Sequence, residues 1–185
     1  MFDYNIAESN DLKSEILLAC QRVSARLSDV SGMNITLSLA SDEQLQEAHY
    51  EWQPRPFNWV GSQFDDHESV CVFKLSVVAE NVFCGVLKAS FEKEPDHNSL
   101  VLERVRGNPS EAHPLKGRVL DVFCEAALEI AKSIDVPRID GEDPIDEIID
   151  IYEGLGFELE NRGLHDFVTL SVTSGTKLNH SKFSL

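Results

Sequence analysis

Two β-rich runs, SVCVFKLSVVAE at residues 69–80 and VFCGVLKASFEK at 82–93, meet at Glu80-Asn81. Parallel neighbours need a crossover of a dozen residues or more, and none fits here, so the two runs have to pair antiparallel as a hairpin. EPDHN then turns the chain into a third run, SLVLERVRG at 99–107, with Leu100, Leu102 and Val105 apolar. The expectation is a three-strand meander at the centre of the fold.

The flanking segments carry helical as well as strand periodicity. Ser9, Asn10 and Asp11 offer capping side chains to a helix with Leu12, Ile16, Cys20, Val23 and Leu27 on one stripe, ending near Ser31-Gly32. MNITLSLAS at 33–41 alternates as a strand, with Ile35, Leu37 and Leu39 inward, and Asp42 starts a short helix reaching about Glu51. From Gly117 the pattern becomes a stripe of Val119, Leu120, Phe123, Cys124, Ala127, Leu128 and Ala131, a helix to about Ser133. Val136 to Ile139 reads as a short strand. Pro144 suits the first position of a helix through Ile145, Ile148, Ile149 and Tyr152, which Gly154 or Gly156 would end. Residues 157–160 and 166–172 read as two last strands around Asn161-Arg162-Gly163, and the polar chain after Ser174 is expected to be mobile. This order predicts an α/β (α+β) fold with a mixed, mostly antiparallel central sheet and helices on both faces.

A chain of 185 residues fits one compact domain with its own core. Its 16 Lys+Arg against 32 Asp+Glu give a net charge of −16, which disfavours nucleic acid as a partner and favours cationic ones. Cys20, Cys71, Cys84 and Cys124 are far apart in apolar runs and form no Cys/His cluster, so buried thiols are expected and no metal site. The first residues, MFDYNIAESNDLK, lack a basic region followed by an apolar one, and no stretch of 18 uncharged apolar residues occurs. A cytoplasmic protein with no membrane partner is expected. Residues 52–68, WQPRPFNWVGSQFDDHE, form a long loop with Trp52, Phe57, Trp59 and Phe64. Its aromatics either pin it to the core or, with Trp59 foremost, contact substrate as a lid.

Three segments resemble the GNAT superfamily of acyl-coenzyme A dependent N-acyltransferases. KLSVVAENVFCGVLKASF at 74–91 looks like the family's central hairpin, Gly85 included. PLKGRVLDVFCEAALEIAKS at 114–133 resembles its pyrophosphate-binding turn, Arg/Gln-x-x-Gly-x-Gly/Ala, with Gly117 at the first glycine, Pro114 in place of Arg/Gln and Val119 in place of the second glycine. IYEGLGFE at 151–158 matches the family's "lYeklGFe" motif, although Ile145 stands where the family has an asparagine seven residues before the tyrosine. The resemblance covers residues 32–173, leaving 1–31 as a helical extension and 174–185 as a polar tail.

The resemblance implies a GNAT-like sheet and an N-acetyltransferase that uses acetyl-coenzyme A as co-substrate and an amine acceptor, a cationic small molecule or a peptide. The other reading is a GNAT-like domain that has lost catalysis and serves as an acidic binding or regulatory module. Carried over residue by residue, Tyr152 becomes the general acid and Glu103 the general base. Val105 would line the pantetheine arm, and Leu115, Lys116, Gly117, Arg118 and Val119 would present N–H groups to the diphosphate. Asp140 and Glu142 open an acidic run, with Asp143, Asp146 and Glu147, that either draws in a cationic acceptor or complements a helix dipole.

Overall fold

The computed structural model describes residues 6–52, 58–67, 70–92, 98–162 and 165–179. Strands β3 (Val70–Ala79) and β4 (Val82–Glu92) form the expected hairpin, and Glu80 and Asn81 both take positive φ, 49° and 64°. A two-residue hairpin turn of this kind requires that conformation. Glu80 is held in it from outside: the Asn34 N–H donates to Glu80 Oε1 at 2.6 Å, and the Glu80 N–H donates to the Asn34 carbonyl at 3.0 Å. β5 (Ser99–Gly107) pairs antiparallel with β4. β1 (Ile35–Leu39) and β2 (Phe64–Asp66) lie one after the other along the outer edge of β3. On the far side β6 (Arg138–Glu142) runs parallel to β5, and β8 (His165–Ser171) sits between β6 and β7 (Glu158–Arg162). The strand order is thus β1-β3-β4-β5-β6-β8-β7, with β2 beside β3.

Strand alternation sends Phe73, Leu75, Leu87, Ala89, Leu100, Leu102 and Ile139 to one face, called here the inner face, where they form the main core. Helices α1 (Ile6–Ser31), α3 (Val119–Ser133) and α4 (Asp146–Leu155) cover it. α1 lies beside α3, and its Leu12, Ile16, Cys20, Val23 and Leu27 are buried in that same core. Arg22–Glu129 at 2.7 Å and Arg26–Glu125 at 2.9 Å show that the two helices run antiparallel. Because the sheet covers one side of α3 and α1 another, α3 is buried over most of its circumference. Contact between α3 and the sheet needs Gly85, where a Cβ would lie 2.4 Å from Val119 Cγ1; at Gly107 a Cβ would stand 3.5 Å from Val119 Cγ2, an ordinary contact. On the outer face a smaller cluster of Ala40, Leu45, Ala48, Trp52, Trp59 and Val86 seats α2 (Asp42–Tyr50). A capping box between Ser41 and Gln44 starts α2.

The elements expected from the sequence are present, and five local expectations change. α1 already begins at Ile6, so Ser9, Asn10 and Asp11 lie inside it rather than capping it. The 52–68 segment is not loop throughout, since residues 64–66 pair with β3 as β2. β6 starts at Arg138 because Val136 closes α3 instead: Asp135 turns left-handed (φ 55°), and the Val136 N–H reaches back to the Ala131 carbonyl at 2.8 Å. α4 starts at Asp146, with Ile145 as its N-cap rather than Pro144 at its first position. Asp143 ties the chain to β8 just before, through its N–H to the Asp166 carbonyl at 3.0 Å. The polar tail is packed as far as Asn179: Leu178 is buried in the main core, the Asn179 N–H donates to the Leu155 carbonyl at 3.0 Å, and Lys132 Nζ donates to the Thr176 carbonyl at 2.5 Å. Phe57, the EPDH of the turn before β5, Gly163 and residues 180–185 lie outside the described residues.

Two substitutions test this packing. Leu178→Ala should destabilise the fold by about 2 kcal/mol or more, the range for truncating a buried leucine, in urea unfolding; a change within about 0.5 kcal/mol is what a loose tail gives. Asp135→Gly should stabilise by about 0.5–1 kcal/mol, since it relieves a left-handed aspartate and removes a negative charge from a helix carboxyl end.

Candidate active site

β5 and β6 pair over only three rungs, Leu100–Ile139, Val101–Asp140 and Leu102–Gly141. The next rung would set Glu103 opposite Glu142, two carboxylates on the outer face, an arrangement that disfavours pairing. Glu103 is also the extra residue of a β-bulge, for Lys88 pairs with Arg104 while Ala89 pairs with Leu102. Bulges add local twist and turn a strand away from its neighbour. Past this point β5 follows β4 alone, and its other edge over residues 104–107 lies along a fork in the sheet.

Tyr152 meets the fork from the inner face. α4 ends in a Schellman turn: Gly156 is left-handed (φ 100°), its N–H donates to the Glu153 carbonyl, and the Phe157 N–H donates to the Tyr152 carbonyl at 3.0 Å. The hydrophobic contact that accompanies such turns is the pair of rings themselves, Tyr152 and Phe157, edge to face at 5.1 Å between centroids. This fixes the tyrosine over Gly141, where a Cβ would come 3.5 Å from Tyr152 Oη and 2.7 Å from Val168 Cγ2. Gly141 belongs to the last paired rung, so the phenol lies at the crotch of the fork. Burial, with the nearby Cys124 adding to it, pushes the phenol pKa well above its ordinary value, and the hydroxyl keeps its proton at any physiological pH.

The amino end of α3 borders the same opening. Gly117 supplies a left-handed turn (φ 69°), and the N-cap position, Arg118, makes no side-chain cap. The Lys116 and Arg118 N–H groups are used within the turn, donating to His113 and Leu115 carbonyls at 3.2 and 2.9 Å. They are therefore not presented outward as expected. Lys116 Nζ is paired with Glu111 at 2.9 Å, and Leu115 is fully buried. Val119 fills the space left by Gly85 and touches Gly107, so the bulk at the pattern's second glycine position goes into the sheet and not into the turn. Val105 is half-buried on the inner face against the main core. His113, buried before the turn, has its pKa lowered by burial first and by Lys116 second, and Glu111 opposes.

Two expected residues do not join this group. Asp140 lies within β6, one rung behind the fork, only 1% exposed, and it is held by Thr169 Oγ1 at 2.8 Å and Arg138 Nε at 3.1 Å. It is a buried, paired carboxylate and not part of an open acidic patch; Glu142 is exposed at the strand end. Trp59 is buried in the outer-face cluster with Trp52, so these aromatics pin the loop rather than line the fork.

Sequence reasoning passed over Lys74 and Lys88, which stand opposite each other in the hairpin. Lys88 is ion-paired with Glu103, and buried Lys74 donates to the Trp59 carbonyl at 2.9 Å. A charge inside each of two otherwise apolar strands was the signal that marked them. Among the described residues no three His, Cys, Asp or Glu side chains are grouped to hold a metal, and no helix is long and apolar enough to cross a membrane.

No protein-family model and no curated protein matches this sequence. Solved structures do match the fold. Naa50 of Arabidopsis thaliana, in complex with the bisubstrate analogue CoA-Ac-MVNAL, is 12% identical with a TM-score of 0.50, over 74% of this chain and 98% of that one. Ard1 of Thermoplasma volcanium gives 10% identity and a TM-score of 0.53 over 76% and 99%. The dodecameric spermidine N-acetyltransferase of Vibrio cholerae gives 13% and 0.51 over 74% and 93%. At such identities the likeness speaks for the fold alone: the chain has the GNAT fold, in a divergent form.

Proposed function

We propose that this protein is an N-acetyltransferase that transfers the acetyl group of acetyl-coenzyme A to an amine on a small molecule or peptide. The observation that carries the reading is the fork between β5 and β6, with a protonated Tyr152 at its crotch on the inner face and Glu103 and Glu142 flanking it on the outer face. Its residues fit the coenzyme in two respects. The amino end of α3 has no side-chain cap of its own, which leaves a positive dipole end for a diphosphate. The β5 edge over residues 104–107 offers extended backbone beyond the last β6 rung for the amides of a pantetheine arm.

Acetyl-coenzyme A would supply a thioester carbonyl open to attack by an amine. Tyr152 Oη holds the proton that a departing thiolate needs. Glu103 and Glu142 attract the acceptor as its ammonium ion, and either carboxylate can take a proton from it; Lys88, bound to Glu103, keeps that carboxylate on the outer face. The preference for a positively charged acceptor implied by the acidic run thus narrows to the reacting amine itself. The four buried free cysteines are compatible with a cytoplasmic setting.

A second reading, a domain that keeps the fold without catalysis, draws on the two turn N–H groups used internally and on Ile145 at the family's asparagine position. Coenzyme binding separates the two. Acetyl-coenzyme A at 100 times its dissociation constant should stabilise the fold by about 2.7 kcal/mol in a thermal-shift assay, and no shift at millimolar ligand overturns the enzyme reading. In a free-thiol assay, Tyr152→Phe should lower kcat by about 10²-fold or more. Coenzyme affinity should stay within about threefold, because the ring contact with Phe157 survives. Equal losses in turnover and affinity would refute the proton-donor role.

A further inference from the structure

The two end strands of the sheet, β1 and β7, are finished differently. At β1 the Glu80 N–H donates to the Asn34 carbonyl and the Ala40 N–H to the Lys74 carbonyl, so even-numbered residues bond towards β3 and odd-numbered ones face outward. Helix α1 closes that outward edge. The Ile35 N–H donates to Ser28 Oγ at 2.9 Å, the Leu37 N–H donates to Ser24 Oγ at 2.8 Å, and Ser28 Oγ donates to the Ile35 carbonyl at 3.1 Å.

At β7 the edge is left open. The Asp143 N–H donates to the Asp166 carbonyl and the Val172 N–H to the Pro137 carbonyl, so the even-numbered residues of β8 bond towards β6. Phe167 and Thr169 then bond to their register partners Glu160 and Glu158, which turns the backbone N–H and C=O groups of Leu159 and Asn161 outward. Among the described residues nothing bonds to those backbone groups. An unpaired strand edge is a template for another strand, and its side chains select what can pair. Here they are sorted by face. Glu158 and Glu160 are exposed on the outer face, whereas Leu159, 49% exposed, lies on the inner face opposite buried Val168. α4 packs on β7 and β8 from that inner face and leaves Ile151 41% exposed.

We infer that the open edge of β7 docks a partner protein by strand addition, the partner supplying an extended segment in which basic and apolar residues alternate. The inference is independent of the acetyltransferase reading. In an antiparallel pair, basic side chains two residues apart stand opposite Glu158 and Glu160, and the apolar residue between them stands opposite Leu159. The backbone of that apolar residue takes up the outward N–H and C=O of Leu159. A second copy of the chain fits this edge worse, since its net charge is also −16.

The test follows a fluorescent peptide of alternating lysine and valine by anisotropy as the full chain is added. It should bind saturably below about 1 mM. A peptide with glutamate in place of lysine should bind about 10-fold more weakly or worse, because two attractive cross-strand pairs become repulsive. N-methylation of the valines keeps every charge but removes the donors that face Leu159 and Asn161, and should also cost about 10-fold or more. The double variant Glu158→Lys/Glu160→Lys should reverse the preference in favour of the glutamate peptide. Asn161→Pro removes an outward N–H that the sheet does not use, so it should keep the melting temperature and weaken the lysine peptide; if that variant does not fold, the N-methylated peptide decides the backbone question. Equal binding of the N-methylated peptide, the result expected of a merely acidic surface, overturns the inference. So does an unchanged preference in the double variant, or no binding of the lysine peptide at about 1 mM. A dimer of the full chain in light scattering that Asn161→Pro dissolves overturns it too, for the edge then belongs to a second copy.

Discussion

Glu103 and Glu142 stand at the first rung that β5 and β6 do not form, and the layout of the site follows from their separation. Had an apolar pair stood there, the strands could have gone on hydrogen bonding and closed the sheet. Two carboxylates on one face favour solvent and separation instead, and the bulge at Glu103 turns β5 away in the same direction. The fork joins the two faces of an otherwise continuous sheet. Groups on α3 and α4 border it on the inner face and groups on β4 and β5 on the outer one.

The residues that place Tyr152 at the fork are mainly structural in their work. Gly156 is left-handed because a Schellman turn needs that conformation, Phe157 closes the turn against the tyrosine ring, and Gly141 leaves the space into which the phenol reaches. The same economy explains Val119. Its isopropyl group lies against Gly85 and Gly107, and the absence of a side chain at Gly85 gives it the room by which α3 still comes close to the sheet. The motif around residue 152 and the turn around 117 are thus held by packing, whatever chemistry they serve.

This separation of packing from chemistry decides what the sequence could reveal. The hairpin was legible because Glu80-Asn81 leaves no other connection, and α3 because its apolar stripe is unbroken. The start of β6 was not, since Val136 looks like a strand residue but serves as the hydrophobic closure of α3 after a left-handed Asp135. Asp140 stands among acidic neighbours in the sequence, and only the register shows it opposite Thr169 on a buried rung beside Arg138. Leu178 was lost among polar residues, because a single apolar anchor has no period to betray it. Glu103, Glu142 and Tyr152 were each visible as residues. Their placement on the two sides of one fork depends on a three-rung pairing that no local pattern encodes.

Lys74 and Lys88 carry the same point further. In the sequence each is the one basic residue of a mostly apolar strand, the pattern of a lysine that keeps its amine in water while its stem lies on the sheet. The antiparallel registers set Lys74 opposite Lys88 and Lys88 opposite Arg104, and Glu103, the extra residue of the bulge next to Arg104, pairs with Lys88, so that a chain of net charge −16 keeps a cationic row beside a carboxylate-flanked fork. Net charge sets long-range attraction but does not describe a site a few ångströms across, where the local order of charges governs which end of a ligand faces which wall. Here three cations on β3, β4 and β5 stand in one row, and the ion pair of Lys88 with Glu103 joins that row to the carboxylates of the fork.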